Sequence, residues 1–188
     1  MKLRAGLQIA ALSLLAIQLL TLARAVPPDG AGGQHFVCDA GFSGYSLDKC
    51  HADVAVLRKT LAKYPAAELG EWTWVLVRSA DWKRITLRHG LDSDSPAFTY
   101  VPKRETFVEE ALVASVPERE WELDARWRMN TDQLLDLAVA HELAHVLCNE
   151  PGEARTNRLA KMLLDGKPLP CEATLSANTR PEKIDRPQ

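Results

Sequence analysis

The 188-residue chain reads as an α+β fold, with an N-terminal helix, a small mixed sheet and two antiparallel helices at the C-terminal end. Three observations carry this reading. From Ser46 to Tyr64, Leu47, Val54, Val56, Leu57 and Leu61 are set among charged residues in an amphipathic helical pattern. From Glu71 to Ser79, Trp72, Trp74 and Leu76 with Val75 and Val77 give the aromatic and β-branched alternation of a strand. From Asn130 onward, Leu134, Leu137, Ala138, His141, Ala144, His145 and Cys148 recur at three- and four-residue steps, one stripe of a helix.

Taken in order, Met1 to Ala25 has the form of a signal peptide. Lys2 and Arg4 precede an apolar run from Ala5 to Leu22, and Ala23-Arg24-Ala25 is a small-x-small cleavage site. An uncleaved N-terminal anchor is the alternative, and only in that case does the chain meet a membrane. Pro27, Pro28, Gly30, Gly32 and Gly33 make a flexible lead into one expected domain, residues 26–172. Residues 173–188, poor in apolar side chains, are expected to form a flexible tail. Cleavage leaves 20 basic residues against 25 acidic ones, a net charge of −5. The basic residues are scattered among acids, so nucleic acid is not an expected partner. The expected product is an exported monomer, secreted or periplasmic.

Within that domain the helix at Ser46–Tyr64 has Ser46 and Asp48 as caps. Strands are expected at Glu71–Ser79, Arg84–Arg88, Ala97–Val101 and Thr106–Val113, with a turn-rich stretch at Gly90–Pro96. Asn130, Thr131 and Asp132 start the next helix with capping side chains and a negative first turn. Asn149, Pro151 and Gly152 stop it, and Glu153–Leu164 returns as the second arm of an αα-hairpin. Four cysteines in an exported chain favour two disulfides. Of three connectivities, Cys38–Cys50 and Cys148–Cys171 are preferred, the second clamping the hairpin. Cys148 as a metal ligand is the competing use of that sulfur.

The motif with chemical content is His141-Glu142-Leu143-Ala144-His145. On a helix the two imidazoles share one face a turn apart, so both reach a single tetrahedral zinc ion. Glu142 stands beside that face, where a carboxylate takes a proton from an activated water. A catalytic zinc needs a third protein ligand and an open position. Cys148 and Pro151 occupy the places where a metzincin carries glycine and histidine, which excludes that class. Glu153, in the first turn of the returning helix, lies opposite the end of the motif helix. Glu150, beside the turn, is the rival ligand.

The histidine pair, its glutamate, and Glu153 followed by Ala154, Arg155, Thr156, Asn157, Arg158, Leu159 and Ala160 resemble the gluzincin metallopeptidases, nearest to the small ImmA/IrrE-like minimal zincins. Thr156 and Leu159 depart from that pattern, where alanine and phenylalanine are usual. The resemblance implies a minimal zincin-like domain, one zinc ion held by His141, His145 and Glu153, Glu142 as general base, and a peptide or protein substrate. It also implies an edge strand beside the cleft, and Glu105–Ser115 is either that edge or a strand buried in the sheet. His89, Tyr100, Arg155 and Arg158 are donors of the right type for oxyanion stabilisation, and no spacing selects among them. A disulfide-bonded, zinc-stabilised binding module without catalysis is the alternative function, and a metal-free interaction module a third.

Overall fold

The computed structural model describes residues 33–39, 41 and 44–171. The expected signal peptide and C-terminal tail lie outside these described residues. The elements run β1 (Gln34–Asp39), α1 (Leu47–Leu61), β2 (Trp72–Val77), α2 (Ser79–Arg88), β3 (Ala97–Tyr100), β4 (Glu105–Glu109), α3 (Pro117–Trp127), α4 (Thr131–Leu147) and α5 (Glu153–Leu164). Among the described residues, five helices around a small mixed sheet make the fold α+β, as the sequence implies.

The sheet order is β1-β2-β4-β3. β1, β2 and β4 are parallel neighbours, and β3 is antiparallel to β4. β2 is apolar at nearly every position because both its faces are covered. Trp72, Trp74 and Leu76 join Val54, Leu57, Leu135, Val139 and Leu143 in the larger core, which places α1 and α4 on that side. Val75 and Val77 pack on the opposite side with Trp82 and Ile85 of α2 and with Phe98 and Phe107.

Arg84–Arg88 is therefore helical, which corrects the expected strand. In a strand Ile85 and Leu87 would share a face. Here Ile85 is buried and Leu87 is 63% exposed, and Trp82 one turn back joins Ile85 in the same small core. Five residues alternating in polarity fit both periods, and Trp82 decides in favour of the helix. Of the two places open to Glu105–Ser115, cleft edge or interior of the sheet, its strand takes the interior. β4 ends at Glu109 and lies between β2 and β3, with Thr106 to Glu109 all buried, so the free edge belongs to β3.

Both preferred disulfides are present. Cys38–Cys50 ties β1 to α1, and Cys148–Cys171 ties the end of α4 to the segment beyond α5. At the far end of β4, buried Glu109 takes a two-point contact from Arg119, Nε to Oε1 at 2.8 Å and Nη2 to Oε2 at 3.1 Å. Glu110 accepts from Arg78 Nε at 2.7 Å and Ser79 N at 3.1 Å. These pairs fix α3 and α2 against the sheet. Among the described residues no helix is long and apolar enough to cross a membrane.

Candidate metal centre

α4 begins at a capping box: Asn130 Oδ1 accepts from Gln133 N at 2.9 Å, and Gln133 Oε1 from Asn130 N at 3.3 Å. Leu134, Leu135, Ala138, Val139 and Leu143 bury one side of the helix in the core. His141 and His145 are carried one turn apart at the border of that buried surface, each somewhat under one-fifth exposed at the side chain. Asn149 at φ 48° turns the chain, and α5 returns alongside α4.

Three side chains converge. His141 Nε2 and His145 Nε2 are 3.1 Å apart, and Glu153 Oε2 and Oε1 lie 3.1 and 3.4 Å from them respectively. His141, His145 and Glu153 thus form a group that could hold a metal ion, with their ligand atoms within 4.8 Å of one another.

The opposite edge of each imidazole explains why the Nε2 atoms face inward. His145 Nδ1 is 2.6 Å from the Glu150 carbonyl oxygen, which only accepts, so that nitrogen carries the proton. Thr156 Oγ1 sits 3.2 Å from the same nitrogen and itself donates to Gly152 O at 3.1 Å. His141 Nδ1 is 3.1 Å from Asn157 Oδ1. Protons at Nδ1 leave lone pairs at both Nε2 atoms, the tautomer that binds a metal. Two such lone pairs 3.1 Å apart repel, and a cation between them with the Glu153 carboxylate relieves the repulsion. Burial and the neighbouring His145 lower the pKa of His141, which keeps that ring neutral. The donor set therefore fits a metal ion on its own chemistry.

Glu150, the rival ligand, is engaged elsewhere. Its Oε1 accepts from Gly152 N at 2.8 Å and its Oε2 pairs with Arg155 Nε at 3.2 Å. Its carbonyl orients His145, so the residue serves the centre through its backbone. Cys148 is excluded as a ligand by its disulfide.

Glu142 is buried beneath the same cleft. Burial pushes its pKa up to about 7; a hydrogen bond from Thr99 and, when that ring is protonated, His145 oppose the rise, and the Glu153 carboxylate adds to it. The cleft holds about 610 Å³ and runs along β3, with Phe98, Thr99 and Val101 on one side and His141, Glu142 and Glu153 on the other. Thr99, Thr156, Asn157 and the Glu150 carbonyl are the site groups that the sequence did not place. Asn157 alone had a signal, standing one turn after Glu153. His89 and Tyr100 are turned away: their rings meet each other 5.1 Å apart, and His89 also lies 5.0 Å from Phe98 and 5.1 Å from Phe107 on the α2 side of the sheet. That position removes both as oxyanion donors.

No protein-family model, curated protein or solved structure matches this chain.

Proposed function

We propose that the protein is an exported, zinc-dependent metallopeptidase in which His141, His145 and Glu153 hold the metal and Glu142 is the general base. The observation that carries this reading is the convergence of two Nε2 lone pairs and one carboxylate beside a buried glutamate. Three nitrogen and oxygen ligands leaving a fourth position open are what a catalytic zinc requires. A purely structural site is ordinarily closed by four protein ligands, and it has no use for Glu142 in that place. The zincin-like character of the domain and the zinc identity of the ion belong to this proposal. Two disulfides indicate an oxidising compartment, which agrees with export.

When bound, zinc supplies Lewis acidity, making a water molecule acidic near neutral pH and polarising a carbonyl group. The residues of the chain then divide the work. Glu142 takes one proton from the water as its oxygen bonds to the scissile carbonyl carbon. The carbon–nitrogen bond breaks, and Glu142 returns the proton to the departing amine, so acid, base and charge balance at the end of the cycle. Glu150, Thr156 and Asn157 hold the imidazoles in place. The free edge of β3 offers main-chain groups to an extended substrate.

Metal analysis of the purified protein, coupled to cleavage of a peptide library, tests the reading. Stoichiometric zinc, cleavage by the wild type, and retention of zinc with loss of cleavage in Glu142→Gln are expected. Full activity in Glu142→Gln would overturn the mechanism. A zinc-loaded wild type that cleaves no peptide would indicate the zinc-stabilised binding module instead.

A further inference from the structure

Beside the proposed metal centre lies a second, smaller cavity of about 200 Å³ that shares His141, Glu142 and Glu153 with the main cleft. Its remaining walls are largely apolar: Pro96 and Ala97 at the start of β3, Leu134, Leu137 and Ala138 of α4, and the indole of Trp127 at the end of α3. We propose that this cavity is a specificity pocket that takes an aromatic or large aliphatic side chain from one of the two residues flanking the scissile bond. The inference rests on the metallopeptidase reading of the centre.

Size, chemistry and rigidity support it. A cavity of about 150 Å³ lined by aliphatic and aromatic groups takes up a benzene ring, so 200 Å³ holds one aromatic side chain with little to spare. The polar groups on its rim are already engaged. Ser95 Oγ donates to Ala97 O at 2.7 Å, and Asn157 Oδ1 is held against His141. A lysine or arginine side chain would leave water for a pocket whose only carboxylates, Glu142 and Glu153, are the ones assigned to the base and the metal. Trp127 is 36% exposed, and a ligand ring in the cavity would cover part of it.

The walls are tied to one another. Arg119 on α3 pairs with Glu109 and donates from Nη2 to Ser93 O at 2.9 Å. Arg126, next to Trp127, pairs with Asp94. Trp82 Nε1 donates to Ser95 O at 2.9 Å. The loop before β3 and the helix that carries Trp127 are thereby fixed together, and the pocket is formed before a ligand arrives.

Two measurements test the pocket separately from turnover. The zinc-loaded protein should cleave peptides with Phe or Leu at the preferred flanking position at least about tenfold faster in kcat/KM than those with Ala, since a single methylene in an apolar pocket is worth about that much. Trp127→Ala should bring that ratio to within about threefold. In the metal-free wild type, N-acetyl-phenylalaninamide should shift the indole NMR signal of Trp127 and N-acetyl-alaninamide should not. In Trp127→Ala the affinity for the Phe amide should fall by about tenfold or more. Cleavage without an apolar preference, a preference that survives in Trp127→Ala, or no binding of the Phe amide would overturn the pocket. Binding of the Phe amide with no cleavage of any peptide would support the pocket and overturn the peptidase reading, so the two failures are distinct.

Discussion

Glu142→Gln is expected to stabilise the metal-free protein in a pH-dependent way, because the wild-type carboxyl is ionised at a cost that burial imposes. The group moves from an ordinary value of 4.5 to about 7 in the fold, a difference worth about 3 kcal/mol. The sign follows from proton linkage. Below pH 4.5 folded and unfolded chains both hold the proton and Glu142 imposes no charge penalty. Between pH 4.5 and 7 the unfolded chain releases the proton while the folded chain retains it, so stability falls as pH rises; above 7 the loss is complete. Glutamine is neutral throughout and escapes this loss. Urea unfolding of both proteins in chelator, at pH 4 and pH 8, measures the effect directly. The two proteins share every group remote from this site, so the variant's advantage reports Glu142 together with the neighbours its charge acts on, His145 and Glu153: near zero at pH 4 and up to about 3 kcal/mol at pH 8. Added zinc should narrow the gap, since a neighbouring cation favours the carboxylate. A stability difference that does not change with pH, or a variant less stable than wild type at pH 8, would refute the reasoning.

Glu153→Gln should lower zinc affinity at least about tenfold in a chelator competition, whereas Glu150→Gln should change it little, because the Glu150 carboxylate faces Gly152 and Arg155. Asn157→Ala should weaken zinc about 10- to 100-fold without removing a ligand, by freeing the Nδ1 edge of His141; unchanged affinity in the same competition would show that the helix alone orients that ring. Replacing Cys148 and Cys171 together by Ser opens a loop closed across 23 positions and should cost roughly 3 kcal/mol in urea unfolding.

The site was more legible in the sequence than the sheet. Capping residues, helical spacing and a Pro-Gly turn locate α4 and α5 because each signal acts within a few residues of its effect. That hairpin brings His141, His145 and Glu153 together, the trio the resemblance implied, with Glu150 left as the rival third member until the structure engaged its carboxylate elsewhere. Trp72 to Val77 also announce their strand. β1 gives a fainter signal because it is an edge strand paired on one side only, and its sequence, Gln34 to Asp39, mixes polar and apolar residues. α3 buries Leu123 alone, so its helical period is faint, and Trp121 at 74% exposed contributes nothing to a core. Strand order is the least local property of all. Nothing within Ala97–Glu109 says that the later strand takes the inner position; that depends on Phe107 and Val108 finding cores on opposite faces.

Those non-local contacts bear on the chemistry. β3 at the edge brings Thr99 against Glu142, and the same strand forms one wall of the cleft. An inner β3 would have its main-chain groups paired on both sides, and the cleft would lose its free edge. A more exposed Glu142 would escape the burial that raises its pKa in the metal-free fold. That burial costs the metal-free fold stability, and α4 sustains the cost through the apolar residues of its opposite side, Leu134, Leu135, Val139 and Leu143. The returning helix adds the carboxylate that completes the trio, and the Cys148–Cys171 bond holds the segment after that helix to the end of the motif helix. In this arrangement the stable part of the hairpin and the reactive part are opposite sides of one helix, which is how a site with repelling lone pairs and a buried acid stays folded.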